Sequence, residues 1–206
     1  ALSDQDDVWH FDKLSRAISV LKNCDAAAYS SDVEAFWLNG KTKIVKKSFP
    51  QKNYDYLFES PGPGCTFVFT RSFFLEVQEW VSSKWNALAD AWVHDWTLYA
   101  YARSVGHRWV IDDYVTMHYR QHGSNEIGAN SGFRAVFGRL KRIRSGSYRQ
   151  DLMFISGLVG APQRLVLAVK RLWIRDRLWL IFHAYQFRRS SKAVFAICVL
   201  FILMRK

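Results

Sequence analysis

The spacing of apolar positions changes period several times along the chain, and these changes predict a mixed α/β fold. Residues 11–21 and 73–91 carry apolar side chains every three or four positions, the period of amphipathic helices. Residues 26–31 form a short run that predicts a strand, and residues 36–45 predict two strands joined by an Asn-Gly turn. Helices and strands therefore alternate through the first part of the chain.

A turn rich in proline and glycine, PGPG at residues 61–64, is the strongest break in this pattern. The apolar residues 65–69 after it predict a buried strand. The polar residues 46–58 before it contain scattered aromatic side chains and indicate a surface loop close to the functional site. A further helix is predicted over residues 94–106, followed by two short strands within residues 108–119.

The last third of the chain changes character, because arginines become interleaved with apolar and aromatic residues. Residues 133–149 and 164–182 each show the pattern of a basic amphipathic helix. In the second pattern, three arginines are expected on one helical face: Arg164, Arg171 and Arg175. An ordinary packed helix pair with a solvated cationic side is the alternative interpretation.

Residues 193–204 form the most apolar stretch, and basic residues flank it on both sides. Its 12 uncharged residues would make a helix of about 18 Å, which is shorter than the ~30 Å hydrocarbon core of a bilayer. The stretch therefore predicts a helix that lies in a membrane interface. A buried core helix is the alternative.

The net charge of +11 is distributed unevenly over the 206 residues. Residues 1–129 contain 13 Lys and Arg against 16 Asp and Glu, a net −3, whereas residues 130–206 contain 16 against 2, a net +14. The change in charge predicts two regions, residues 1–129 and a basic, helical, membrane-associating region over residues 130–206. The basic block is typical of a protein that binds a polyanion, either nucleic acid or an anionic membrane surface.

The remaining composition narrows the class of protein. A hydrophobic content of 50% and an aromatic content of 16% exclude global disorder and allow one substantial core with a small appendage. The three cysteines, Cys24, Cys65 and Cys198, are far apart and match no metal or redox spacing. They indicate mostly buried thiols in a reducing compartment.

Three carboxylates stand close together at the start of the chain, just before the first helical pattern: Asp4, Asp6 and Asp7. Carboxylate oxygens are the ligands that Mg²⁺ and Mn²⁺ prefer, and these cations keep positions open for substrate phosphates. An acidic helix start is the alternative, because carboxylates near a helix N-terminus complement its dipole. The three residues alone favour this alternative.

Four segments, taken in order, resemble the family 2 glycosyltransferases, especially the subgroup that contains bacterial rhamnosyltransferases of surface-polysaccharide assembly. They are SDQDDVW at residues 3–9 with Lys13-Leu14, PGCT at 63–66, HDW at 94–96 and YRQHGSN at 119–125. The resemblance covers roughly the first two thirds of the chain. It implies part of a GT-A (Rossmann-like) domain with a mixed sheet, followed here by the basic helical region.

The resemblance also implies roles for individual residues. Asp6, with Asp4 beside it and His122 completing the shell, would hold a divalent cation, Mg²⁺ or Mn²⁺. Asp95 would be the general base that takes the proton from the acceptor hydroxyl, although a helix cap is the alternative role. Residues expected to contact the donor or acceptor are Asp7, Trp9, Pro63, Gly64, His94, Trp96, Arg120 and Gln121.

The function that follows from the resemblance is inverting transfer of a sugar, possibly rhamnose, from a nucleotide-diphosphate sugar to a saccharide or lipid-linked acceptor. We expect the protein in the cytoplasm, peripheral on the inner face of the cell membrane. Because the first residues resemble a strand end, we expect the nucleotide-binding half to lie upstream and the chain by itself to be inactive. A nucleic-acid-binding module and a metal-dependent phosphohydrolase are the rival classes; no nucleic-acid reader motif is recognisable, so we expect no nucleic acid partner.

Overall fold

The computed structural model describes residues 1–88, 94–121 and 146–204 of the chain. The chain divides into two units, the first formed by residues 1–48 and 60–129 and the second by residues 49–59 and 130–206. Mixed sheets in the first unit and helices in the second confirm the predicted α/β class. The assignment to the GT-A fold and the boundary after residue 129 stay predictions.

Within the first unit, the described residues form seven strands and four helices. In chain order these are β1 (Val8–Trp9), α1 (Lys13–Asn23), β2 (Ala28–Ser31), β3 (Val33–Trp37), β4 (Thr42–Val45), β5 (Val68–Phe69), α2 (Arg71–Ser83), α3 (Trp85–Leu88), α4 (His94–Ser104), β6 (Trp109–Asp112) and β7 (Met117–Gln121). A 3₁₀ turn, Gly64–Thr66, precedes β5 and occupies the first two residues of the segment 65–69 that the sequence predicts as a strand. The predicted helix over 73–91 is interrupted after Ser83, and its last residues lie outside the described part of the chain.

The larger sheet has the strand order β1-β7-β3-β4. It sets the position of residues 4–7, which contain Asp4, Asp6 and Asp7 and which we call the acidic turn. Strand β7 runs parallel to β3 and antiparallel to β1, with Val8 opposite His118 and Trp9 opposite Met117. Extending this register past the start of β1 brings Arg120, near the end of β7, beside the acidic turn. The sheet thereby joins two segments that are far apart in sequence.

The smaller sheet, with the order β5-β2-β6, carries the core of the first unit. Tyr29 of β2 and Trp109 of β6 are completely or almost completely buried, and Ala17 and Leu21 of α1 pack against the same core. At the edge of this core, Asp112 accepts hydrogen bonds from Tyr29 Oη (2.8 Å) and from two guanidinium nitrogens of Arg16 (2.9 and 3.1 Å). This carboxylate therefore ties α1 to two strands.

Asp112→Asn should lower the free energy of unfolding by about 2 kcal/mol, because the hydrogen bonds that the charged carboxylate accepts are lost. Arg16 is half-exposed, so solvent screening keeps the contribution of its charge to this loss small. Burial alone would raise the pKa of Asp112, but the bonds from Arg16 and Tyr29 hold it below 3.8. Its stabilisation is therefore present above about pH 4 and is lost as the pH falls through the folded-state pKa. Denaturant unfolding at pH 7 and pH 3 measures both effects. Asp113→Asn, at the exposed neighbouring position, is the control; an equal loss there would refute the assignment.

Within the second unit, the described residues form four α-helices and two short 3₁₀ turns. The helices are α5 (Ser147–Val159), α6 (Gln163–Arg171), α7 (Ile174–Phe182) and α8 (Ser191–Leu203). The single helical face predicted for Arg164, Arg171 and Arg175 is wrong, because the chain leaves the helix at Leu172, which has a positive φ of 50°. The first two arginines lie on α6 and the third on α7.

Residues 49–59 belong to this second unit, and three residues of the segment that the sequence predicts as a surface loop are buried: Asp55, Leu57 and Phe58. Phe58 is buried and stacks on Phe187 with ring centroids 4.4 Å apart. Asp55 is completely buried because Arg189 pairs with it at 3.3 Å, and Glu59 accepts a hydrogen bond from the backbone N–H of Arg189. The charges in this segment are compensated by arginines from a distant part of the chain.

Among the described residues, no helix is both long enough and apolar enough to cross a bilayer. The terminal apolar stretch forms α8, which has 13 residues and ends at Leu203.

Candidate functional site

The acidic turn is fixed by the last residues of β7. The backbone N–H of Arg120 donates a hydrogen bond to Asp7 Oδ1 (3.0 Å), and Arg120 Nε donates to the carbonyl oxygen of Asp6 (2.9 Å). The pairing of β1 with β7 imposes this arrangement. Arg120 therefore positions the turn, in addition to the contact with donor or acceptor that the resemblance implies for it.

Two carboxylates of the turn converge with a thiol. One ligand atom each from Asp4, Asp7 and Cys65 lie within 4.8 Å of one another. Asp7 Oδ2 is buried and has no hydrogen-bond partner among the described residues. Burial raises the pKa of Asp7, and the nearby charges of Asp4 and Asp6 add to this, although the Cys65 thiol and the Arg120 N–H favour the charged form. A positive charge placed here would relieve the repulsion.

The donor set at this turn fits a hard divalent cation. Carboxylate oxygens suit Mg²⁺ or Mn²⁺, and Asp7 supplies a buried oxygen that has no other partner. Burial and the charge of Asp7 raise the pKa of Cys65 far above its usual range, so the thiol stays protonated and is a poor ligand for such ions. Asp6, which the sequence ranks first, is not part of this group. His122 lies outside the described residues.

Lys13 is a buried cation beside the acidic turn whose role the sequence does not predict. Its Nζ donates to the carbonyl oxygen of Cys65 (2.6 Å) and lies 3.6 Å from the centroid of the Trp9 ring. Burial lowers its pKa to about 8, opposed by the charges around Cys65, Asp7 and Asp4. The only signal in the sequence is that Lys13-Leu14 follows the SDQDDVW segment of the resemblance. The turn of residues 61–64, which we call the glycine turn, directly precedes Cys65. The contact between Lys13 and Cys65 therefore holds the glycine turn against α1.

The glycine turn meets the predicted catalytic base. Gly64 lies so close to α4 that a Cβ added to it would overlap Asp95 Oδ1 and lie 3.0 Å from His94 Nε2. His94 Nε2 is 2.6 Å from Asp95 Oδ1, which is buried, whereas the Asp95 side chain as a whole is 23% exposed. In the same turn, the carbonyl oxygen of Pro63 accepts a hydrogen bond from Thr66 Oγ1 (2.7 Å). Glycine is required here for close approach rather than for its backbone freedom.

Tyr119 responds to both groups of charges. Burial raises its pKa to about 12, and the nearby ionisable groups of Cys65, Asp7, Asp4 and Asp95 add to the rise. Gly64 packs against Asp95, and the thiol of the adjacent Cys65 lies beside Asp4 and Asp7, so two neighbouring residues connect the acidic turn with the predicted base. The structure brings together six of the predicted site residues: Asp4, Asp7, Gly64, His94, Asp95 and Arg120.

Three other residues that are predicted to bind a ligand are buried or half-buried within the fold. Trp96 is only 6% exposed and belongs to the core. Gln121 is 4% exposed, and its Nε2 donates to the carbonyl oxygen of Arg120. Trp9 is half-buried, with its ring next to the Lys13 ammonium group. Direct contact of these three with a substrate stays a prediction.

Gly64→Ala should lower the turnover of a transferase containing this site by at least about tenfold, with little loss of stability. The new methyl group would displace the carboxylate of Asp95, and misplacing a catalytic group by about 1 Å costs up to about 10²-fold. The backbone is not strained, because Gly64 does not have a positive φ. Gly157→Ala, at a position with open space, is the control. Unchanged turnover in Gly64→Ala would show that Asp95 does not need this contact.

Comparison with known proteins supports part of the resemblance. No protein-family model matches the chain. The chain is 41% identical over 154 residues to the protein named dTDP-rhamnosyl transferase RfbG from Shigella flexneri, an alignment that covers 75% of this chain and 53% of that protein. The chain thus spans about half the length of the curated relative it matches. The similarity is to a bacterial glycosyltransferase; membership of family 2 stays a prediction.

Proposed function

We propose that this chain carries the metal and acceptor elements of an inverting glycosyltransferase of family 2. Its donor would be a nucleotide-diphosphate sugar, in the favoured case dTDP-rhamnose, and its acceptor a saccharide or lipid-linked saccharide of a bacterial surface polysaccharide. The observation that carries the proposal is that two adjacent residues connect the two groups: Gly64 packs against Asp95, and the thiol of Cys65 lies beside Asp4 and Asp7. The name of the Shigella relative supports the choice of donor.

In this proposal, Asp95 accepts the proton of the acceptor hydroxyl, whose oxygen forms a bond to the anomeric carbon of the donor. The bond from that carbon to the diphosphate breaks, and its electron pair leaves with the diphosphate, so the configuration at carbon is inverted. His94, 2.6 Å from Asp95 Oδ1, orients the carboxylate. The partial exposure of Asp95 leaves room for an acceptor hydroxyl.

The acidic turn would act on the leaving group. Asp4 and Asp7 would hold Mg²⁺ or Mn²⁺, which when bound neutralises charge on the departing diphosphate. Asp6 shares the turn and is proposed to contribute once the donor is present. Arg120 keeps the turn in place through Asp6 and Asp7, and its guanidinium group matches phosphate geometry.

A chimera tests the proposal directly, because the chain matches only part of its relative. In the chimera, the matched segment of the Shigella protein is replaced by the corresponding residues of this chain. We expect release of dTDP from dTDP-rhamnose that depends on a saccharide acceptor and on Mg²⁺ or Mn²⁺. The parent protein is the positive control, and circular dichroism checks the fold. A folded chimera that transfers no sugar to any acceptor of its parent would refute the proposal.

The same assay separates the rival classes. Phosphate release that needs no acceptor would indicate a metal-dependent phosphohydrolase. Such enzymes commonly use two cations 3.5–4 Å apart, whereas the described residues contain a single candidate group of metal ligands. Retention on nucleic acid without turnover would indicate a binding module, which has no need of Asp95 beside a glycine turn.

A further inference from the structure

The second unit leaves an apolar surface uncovered on α7 and α8. Six large side chains form it, and we call them the apolar face: Ile174, Leu178 and Phe182 on α7, and Phe195, Val199 and Ile202 on α8. Ile174, Phe182 and Phe195 are each more than 70% exposed. A row of exposed aliphatic and aromatic residues on adjacent helices marks an interaction surface in a monomeric protein.

Contacts between α7 and α8 show that these residues lie on one side of the helix pair. Arg177 donates hydrogen bonds to the carbonyl oxygens of Ile202 (3.0 Å) and Met204 (2.7 Å), whereas Ile181 lies beside Cys198. The two helices are therefore antiparallel. On each helix, angles are counted around the helix axis from the residues that contact the other helix, at about 100° per residue. The exposed side chains lie about 40–140° from that direction, and the sense of rotation is the same on both helices. In an antiparallel pair this places both rows on the same side.

Basic residues surround the apolar face. Arg171, Arg175 and Lys192 are exposed, and the guanidinium group of Arg171 lies 5.5 Å from the ring centroid of Trp173, which is itself 58% exposed. Residues 130–206 contain 16 Lys and Arg but only two carboxylates, and one of these, Asp176, is buried against Arg164. In the described residues 146–204 alone, nine Lys and Arg stand against two carboxylates, so exposed cations flank the apolar face.

We propose that the apolar face and its basic rim bind an anionic lipid bilayer. The apolar side chains would enter the boundary between headgroups and acyl chains, and Arg171, Arg175 and Lys192 would contact lipid phosphates. A second copy of the chain would bring two positively charged rims together, and a nucleic acid would leave the apolar face in water. An anionic bilayer offers partners both to these cations and to the apolar side chains. This inference does not depend on the proposed glycosyl transfer.

Flotation of the chain with lipid vesicles tests the proposal. Vesicles of phosphatidylcholine alone are compared with vesicles that contain increasing fractions of phosphatidylglycerol, at low and high salt. We expect binding that grows with the anionic fraction and is only partly reversed by salt, since salt screens the charges but not the apolar contact. Leu178→Ser with Phe182→Ser should weaken binding by about tenfold or more. Arg175→Gln with Lys192→Gln should weaken binding to anionic vesicles by about fivefold for each residue.

Matched variants in the first unit control for general effects of lost apolar area and charge. Phe11→Ser with Leu38→Ser removes two highly exposed apolar side chains, and Lys41→Gln with Lys43→Gln removes two exposed cations. Both should bind vesicles as the parent chain does. The proposal is overturned by absent vesicle binding, by equal losses in these controls, or by tight retention on nucleic acid alone. A concentration-dependent dimer that Leu178→Ser disrupts, without any vesicle binding, would assign the face to a second copy.

Discussion

Asp95→Asn in the chimeric transferase should lower turnover by about 10²–10⁴-fold while leaving the affinity for dTDP-rhamnose nearly unchanged. An amide has the shape of the carboxylate and can cap a helix, but it cannot accept the proton of the acceptor hydroxyl. The contact with Gly64 also remains possible, because the side chain keeps its length. Donor affinity should be preserved, since the proposed metal group belongs to the acidic turn and not to α4. Steady-state kinetics with both substrates measures the two effects separately.

The control for Asp95→Asn is Asp113→Asn, which removes an exposed carboxylate elsewhere in the first unit. Thermal unfolding of each variant separates a catalytic role from a cap. A fall in melting temperature without a fall in turnover per folded molecule would make Asp95 a structural residue. A raised Michaelis constant for the donor, with unchanged turnover, would instead place it in donor binding.

The sequence predicts most local elements of the first unit because their patterns depend on neighbouring residues. The hairpin around Gly40, the helix of Lys13–Asn23 and the helix of His94–Ser104 follow from apolar spacing and turn residues. The resemblance also selects Gly64 and Asp95 as parts of one site. Their contact, however, depends on the packing of α4 against the glycine turn, which no local pattern encodes.

Three features could not be predicted because long-range packing decides them. Lys13 begins a helix, where a lysine is normally solvated, yet its ammonium group is buried against the Cys65 carbonyl oxygen. The helical pattern over 164–182 is broken at Leu172, a residue type that rarely adopts a positive φ. Within the predicted surface loop of residues 46–58, Asp55 is buried because Arg189 pairs with it. For Lys13 and Asp55, a distant partner changes the environment that the residue type favours.

Replacing both Asp4 and Asp7 with asparagine should abolish transfer in the chimera, a loss of at least about 10³-fold, without unfolding it. The cation is expected to contribute several kcal/mol of stabilisation to the departing diphosphate, and each 1.36 kcal/mol is a factor of ten in rate. The fold should survive because the asparagine in Asp7→Asn still offers an oxygen to the Arg120 N–H. A chelator should abolish the activity of the parent chimera in the same way.

Asp6→Asn is the informative comparison, because the resemblance implies the leading metal role for Asp6, whereas we propose Asp4 and Asp7 as the metal ligands. We expect a higher Mn²⁺ requirement for the Asp4→Asn and Asp7→Asn single variants than for Asp6→Asn, measured as the cation concentration for half-maximal rate. The reverse order would mean that the bound donor rearranges the turn and brings Asp6 to the cation. Full activity in the presence of chelator would contradict the proposed metal dependence. Asp7 Oδ2 would then need a partner from the donor itself, because a buried carboxylate oxygen without a partner is costly.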